Sequence, residues 1–230
     1  MDVALREFDS AEALAAAGAA HIAERARARI DERGEFVLAL SGGQSPLLTW
    51  RHLAGHDLDW EHVTIFQVDE RVAPAGDSER NLTGLVAGLA PRTPRIVAMP
   101  VEESDLEGAA ARYGELVPER FDLVHLGLGP DGHTASLVAG DAALDETDRL
   151  VAVTGEYQGR RRMTMTFAAL ARTDETLWIV SGDGVRGALK KLLAGDPSIP
   201  ASRVQRANAL ILTDETGLDV GAVATEQSHS

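Results

Sequence analysis

The sequence predicts an α/β fold, a doubly wound, mainly parallel sheet with helices on both faces. Three observations predict it: short aliphatic runs recur along the chain, segments with a 3–4 residue apolar period alternate with them, and Gly-rich turns separate the two kinds. Runs that are apolar throughout suit strands buried on both faces, and parallel neighbours need crossover connections, which the helical segments supply.

Ser10 is placed to cap a helix over Ala11–Arg33, where Leu14, Ala17, His21, Ile22 and Ala26 trace the apolar stripe and Gly34 ends it. Phe36–Leu40 is the first wholly apolar strand, and a Gly turn leads from it to a helix over Pro46–Leu53. Val63–Val68 repeats the pattern, and Ile96–Ala98 is a shorter strand. Ser104–Val117 reads as a helix with Ser104 as cap and Glu107 in capping-box position. Phe121–Leu126, Leu150–Val153, Leu177–Val180 and Ala209–Leu212 complete the strands, and Val185–Leu193 is an amphipathic helix. With no linker, repeat or shift in composition, residues 1–230 are expected to form one domain.

Composition narrows the function. The 230 residues hold 36 acidic and 22 basic side chains, for a net charge of −14, and no Cys. Such a charge is repelled by nucleic acid and by anionic membranes, and the longest basic run is only Arg160-Arg161-Arg162. No nucleic-acid or membrane partner is expected. The absence of Cys removes thiol nucleophiles and thiolate metal sites. Neither a signal-peptide profile nor a membrane-length apolar run is present, so the expected location is the cytoplasm.

In a doubly wound sheet, ligands bind beyond the carboxyl ends of the strands, and four turns lie there. Ser41-Gly42-Gly43-Gln44-Ser45-Pro46 combines close backbone approach, hydroxyls and a helix N-terminus, so it is either a phosphate cradle or simply a tight turn. Asp69-Glu70-Arg71 ends an apolar strand as a solvated exit or as an anion-and-proton site, and by itself the solvated exit is favoured. The polar segment 72–81 after it is long enough to act as a lid.

Gly127-Leu128-Gly129-Pro130-Asp131-Gly132-His133 formally matches a dinucleotide fingerprint, with Glu156 able to pose as the ribose acid. Asp131 would face the pyrophosphate, however, and the segment from Thr134 to Gly140 is too short for the crossover helix. A loop presenting Asp131 and His133 fits better, because histidine ordinarily titrates near pH 6.5 and a neighbouring carboxylate can orient it for base work. His125, inside an apolar strand, reads as core, and the other histidines as surface or packing residues. The Arg160–Arg162 run suits a solvated face, yet Arg162 opens an alternating strand-like segment that could reach the same crevice as Arg71.

In this order the turns resemble the 6-phosphogluconolactonase family. The matching residues are Ser41-Gly42-Gly43 with Ser45-Pro46, Asp69-Glu70-Arg71 with Asp77 and Asn81, Gly127-Leu128-Gly129 with Asp131-Gly132-His133-Thr134-Ala135-Ser136-Leu137, and Arg162-Met163-Thr164. The resemblance implies a Rossmann-like fold shared with glucosamine-6-phosphate deaminase and related to ribose-5-phosphate isomerase. It also implies hydrolysis of a phosphorylated sugar lactone in the oxidative pentose phosphate pathway, with no metal or cofactor, by a monomer or small homo-oligomer. His133 would be the base, its tautomer set by Asp131 or a backbone carbonyl. Ser41, Gly42, Gly43, Gln44, Ser45 and Arg162 would hold phosphate, and Arg71 either phosphate or the tetrahedral oxyanion.

Three departures stand out. Val138-Ala139 replaces the family's usual Phe-Pro, Arg80 stands where Ser is common, and the late Ser/Thr-Gly turn is followed by Val185 and Arg186 rather than a phosphate-holding Lys. Arg186 either substitutes for that Lys or the contact is absent. The alternatives are a deaminase or isomerase using Asp69 as carbon-acid base, and a non-catalytic sugar-phosphate sensor. The deaminase group typically follows its His loop with Asn-Glu-Pro, where this chain has Ala135-Ser136-Leu137.

Overall fold

Ser10 and Gly34 bound the first helix as their chemistry requires. In a computed structural model that describes residues 3–182, 184–205, 207–215 and 224–225, α1 spans Ala11–Arg33, Ser10 Oγ accepts the Ala13 N–H at 3.2 Å, and Gly34 closes the helix at φ +83°. The side chains of Gln44, Ser45, Ala224 and Thr225 lie outside the described residues' side chains.

The remaining elements follow the alternation read from the sequence, with shifted ends and several additions. The strands are β1 (Val3–Glu7), β2 (Phe36–Leu40), β3 (Val63–Gln67), β4 (Asp69–Arg71), β5 (Arg95–Val97), β6 (Leu123–Leu126), β7 (Val151–Val153), β8 (Arg162–Met165), β9 (Thr176–Val180), β10 (Ala209–Thr213) and β11 (Ala224–Thr225). The other helices are α2 (Gln44–Ala54), α3 (Asn81–Leu89), α4 (Leu106–Leu116), α5 (Phe167–Leu170) and α6 (Arg186–Ala194). The cap of α4 is Asp105 rather than Ser104: its Oδ1 takes the Gly108 N–H at 2.9 Å, one residue further on. β1 escaped the sequence reading because Arg6 and Glu7 interrupt a run in which only Val3 and Leu5 are buried.

Eight strands form the main sheet in the order β11-β1-β10-β9-β6-β2-β3-β5, and every adjacent pair is parallel. Alternate strand residues feed two apolar layers. Phe36, Leu38, Leu40, Ile65, Leu177 and Ile179 pack with α1, α2 and α3, whereas Ala39, Phe66, Val124, Leu126, Trp178 and Val180 pack with α4 and α6. That two-sided burial makes the fold a doubly wound α/β sheet. No helix among the described residues is long and apolar enough to cross a membrane.

Chain direction places a crevice. From β2 the chain moves outward to β3 and β5, then returns to β6 on the other side of β2 and proceeds to β9 and β10. β2 and β6 are therefore neighbours whose connections leave in opposite directions, which opens a gap at their carboxyl ends. A second, antiparallel sheet, β4-β8-β7, closes one side of that gap. Val68 is the hinge between the sheets: its N–H reaches Leu40 O at 3.1 Å, and its carbonyl accepts Met165 N–H at 2.7 Å.

His125 is a core residue, as its strand context predicts. It is fully buried, packs edge-to-face on Trp50 at 5.0 Å, and its Nδ1 accepts the Ser41 N–H at 3.3 Å. Burial pushes its pKa down to about 3. The folded form stays neutral while the unfolded chain takes up a proton below pH ~6.5, so this residue favours folding above that pH and progressively less as pH falls toward 3. Between pH 6.5 and 4.5 the loss is on the order of 2–3 kcal/mol. Urea unfolding of His125→Leu at both pH values should show a pH dependence smaller by about that amount. An unchanged slope would place the acid sensitivity elsewhere.

Candidate functional site

The crevice at the β2/β6 switch is a cleft of about 250 Å³ lined by residues from all four turns singled out in the sequence. At the end of β2, Ser41 N–H is shared between His125 O at 3.2 Å and His125 Nδ1 at 3.3 Å, and Ser41 Oγ is buried without a partner among the described residues. Gly42 lies so close to Asn81 that a Cβ would overlap its side chain, and Gly43 has φ +119°, a conformation that favours glycine. Gly43 also precedes α2, whose first turn has neither a side-chain cap nor an acidic residue. Gly42, Gly43 and Pro46 bring the N-terminal end of this helix, the end that favours an anion, to the cleft wall. The roles given to Gln44 and Ser45 rest on side chains outside the described residues.

Asp69-Glu70-Arg71 is not the solvated exit that its charges favoured. These residues form β4, with Asp69 and Glu70 buried, because each carboxylate is supplied with donors. Glu70 accepts N–H groups from Gln67 Nε2, Arg71 and Asn81 at 2.8 Å each and from Leu82 at 2.9 Å. It thereby caps α3 from a neighbouring strand. Asp69 accepts Ser136 Oγ–H at 2.6 Å and Asn81 Nδ2–H at 3.0 Å. Burial raises the Asp69 pKa, while the Ser136 hydroxyl and the Arg71 and Arg162 charges oppose that rise.

Arg71 and Arg162 do meet. β4 and β8 pair with Arg71 directly opposite Arg162, and both side chains line the cleft. Among the described residues neither forms an ion pair within 4.0 Å, and the Nε of each is buried without a partner. Burial and the facing Arg71 lower the Arg162 pKa, the mark of a cation short of counter-charge. By contrast, Arg160 is tied to Asp77 and Glu79 of the loop before α3, and Arg71 Nη1 donates to Glu79 O at 2.6 Å.

The turn after β6 builds the third wall. Gly129 N–H bonds His133 O and Gly132 N–H bonds Gly129 O, both at 2.9 Å, which folds the loop onto itself. Asp131 Oδ1 then receives both the His133 backbone N–H at 3.2 Å and the ring Nδ1 at 2.6 Å. Burial alone would raise the Asp131 pKa, but the hydrogen bonds from His133 and Tyr157 hold it below the usual carboxylate range. An ionised Asp131 fixes the proton on Nδ1 and leaves Nε2 as the ring's acceptor.

Arg186 is placed elsewhere. Its Nη1 pairs with Glu215 at 3.0 Å, and it is not among the side chains that line the cleft. Tyr157 and Gln158 were not singled out in the sequence. Gln158-Gly159 between two strand-like segments was the available signal, since both have positive φ, 53° and 78°, and turn the chain back over the cleft.

The family model for glucosamine-6-phosphate isomerases/6-phosphogluconolactonase matches residues 9–212. The chain belongs to that family. Among its relatives, a 6-phosphogluconolactonase of Mesorhizobium japonicum is 36% identical over 210 residues, covering 86% of this chain and 88% of the relative. One of Pseudomonas putida is 34% identical over 207 residues, covering 84% and 85%. The crystal structure of a 6-phosphogluconolactonase from Shewanella baltica superposes with a TM-score of 0.84 at 25% identity, covering 92% of this chain and 97% of that one. In this family member, the aligned segment contains all four cleft-forming turns.

Proposed function

We propose that the protein hydrolyses 6-phospho-D-glucono-1,5-lactone to 6-phospho-D-gluconate, in the cytoplasm and within the oxidative pentose phosphate pathway, with His133 as general base. The observation that carries this reading is one cleft holding both an Asp131-oriented histidine and two guanidiniums that form no ion pair within 4.0 Å among the described residues. The relatives' shared name supports the substrate.

The phosphate dianion binds Arg71 and Arg162, the N-terminal end of α2 and Ser41 Oγ, which presents the lactone carbonyl to His133. Nε2 accepts a proton from water as the water oxygen bonds to the lactone carbon. The carbonyl electron pair moves onto oxygen, giving a tetrahedral oxyanion. As the carbonyl re-forms, the bond to the ring oxygen breaks, and the imidazolium returns its proton to that leaving oxygen. No covalent enzyme intermediate is involved. Base catalysis and positioning, each worth at least ~10²-fold, give a useful acceleration over spontaneous opening.

A deaminase or isomerase would use Asp69, in the same cleft, as its carbon-acid base. Here Asp69 is engaged by Ser136 and Asn81. The first carboxylate after His133, Asp141, is spent on the backbone N–H groups of Ala143 and Gly155, at 2.8 and 2.9 Å. The test is to generate the lactone with glucose-6-phosphate dehydrogenase and follow acid release. The protein should accelerate release well above the spontaneous rate, and a rate equal to the blank would refute the proposal.

Gly129 gives a sharper geometric test. A Cβ there would overlap the His133 ring and stand 2.8 Å from Asp131 Oδ1. Gly129→Ala is expected to displace the imidazole and lower kcat by about 10²-fold, with KM changed far less. Steady-state kinetics at matched thermal stability checks this, and an unaltered kcat would show that the ring position is not critical.

A further inference from the structure

We propose that Tyr157 is a positioning residue that links the phosphate-holding Arg162 to the Asp131–His133 pair. The proposal rests on the lactonase reading and extends it to a residue that lies at the tip of the β7–β8 hairpin rather than in any of the four strand-end turns.

Tyr157 sits between Arg162 and the Asp131–His133 pair and contacts all three. Its hydroxyl donates to Asp131 Oδ2 at 3.1 Å, so the carboxylate is held through both oxygens, Oδ1 by His133 and Oδ2 by tyrosine. Its ring meets the His133 ring edge-to-face at 5.4 Å, and the Arg162 guanidinium lies 5.0 Å from its centroid. Gln158 closes the circuit. Its Nε2 donates to the Tyr157 hydroxyl at 3.3 Å, and its Oε1 accepts from Arg162 Nη2 at 3.2 Å.

The connected set is thus Arg162, Gln158, Tyr157, Asp131 and His133. Backbone geometry supports a role for it. Gln158 holds φ 53°, a left-handed conformation that a non-glycine residue adopts at some cost, at the hairpin tip that delivers both side chains. Burial and the Asp131 charge also raise the Tyr157 pKa, which keeps its hydroxyl protonated and donating.

A carboxylate fixed through one oxygen can swing about its Cβ–Cγ bond and carry the imidazole with it. Fixed through both, it holds the ring in one orientation. Phosphate arriving at Arg162 acts on the cation resting against the Tyr157 ring and bonded to Gln158, so substrate anchoring bears on the base across a few contacts rather than through the fold.

Two variants test this. Tyr157→Phe keeps the ring and removes the hydroxyl; it is expected to lower kcat about 10-fold with KM within twofold. Tyr157→Leu also removes the surface under Arg162, and KM should rise as well. Imidazole ¹⁵N NMR of both proteins reads the His133 tautomer directly: mainly Nδ1–H in the unmodified protein, a mixture in Tyr157→Phe. Added inorganic phosphate should move the His133 signals in the unmodified protein and leave them unmoved in Tyr157→Leu.

A Phe variant with unmodified kcat and an unmodified tautomer overturns the proposal, as does one whose only change is in KM. Should the unmodified protein fail to open the lactone, the functional reading falls, and the NMR comparison alone decides whether Tyr157 orients His133.

Discussion

His133→Asn is expected to lower kcat for lactone opening by about 10³-fold while leaving KM within a few-fold, because base catalysis typically contributes 10²–10⁴-fold. Asparagine can still hydrogen-bond to Asp131 from the same loop, but it cannot take a proton from water or return one to the ring oxygen. The substitution isolates proton transfer from anchoring, since Arg71, Arg162 and the start of α2 lie on other elements. The loop's own bonds, Gly129 N–H to His133 O and Gly132 N–H to Gly129 O, are backbone bonds and survive the change. Steady-state kinetics together with inorganic phosphate binding checks both halves. Near-normal turnover would remove His133 from the mechanism, and lost phosphate binding would show that the loop had moved.

Arg162→Met is expected to raise KM by about 10–100-fold and to leave the ligand-free protein as stable as before or slightly more so. Methionine retains a flexible apolar stem of similar length while removing the guanidinium that rests over the Tyr157 ring. Two effects then separate. Substrate loses a charge-assisted hydrogen-bonding partner for its phosphate, which costs affinity. The free protein loses a buried cation that faces Arg71 and forms no salt bridge among the described residues, which relieves repulsion. KM for the lactone and the thermal midpoint without ligand should therefore move independently. An unchanged KM would place the phosphate elsewhere, and a large fall in the midpoint would make Arg162 a structural cation.

Both predictions rest on parts of the molecule that were unequally legible in the sequence. Phe36–Leu40 and Val63–Gln67 could be read because strands buried on both faces leave a continuous apolar run, and such runs end where ligand turns begin. His133 stood out because its turn combines Gly129 and Gly132 with a carboxylate two residues before it. Buried charge was harder to read. Asp69-Glu70-Arg71 looks solvent-exposed in one dimension because the groups that compensate it, Asn81, Ser136 and Arg162, come from three later segments. α3 was hidden for the same reason, since its start is capped by Glu70 from another strand rather than by a neighbour in sequence.

Arg186 shows the converse. A position suggested by family pattern is paired with Glu215 across 29 residues of sequence, and only tertiary placement reveals that. Tyr157 carried no motif at all, and its contacts exist only once the β7–β8 hairpin folds over the Asp131 loop.

The central claim is that this cleft opens a phosphorylated lactone rather than releasing ammonia from an amino sugar. Partition between the two substrates tests it most directly: acid release from 6-phosphogluconolactone and ammonia release from glucosamine-6-phosphate, measured on the same protein. Acid release well above the spontaneous rate with ammonia at the blank level is the predicted result. Ammonia release without accelerated lactone opening would contradict the account and pass the chemistry to Asp69.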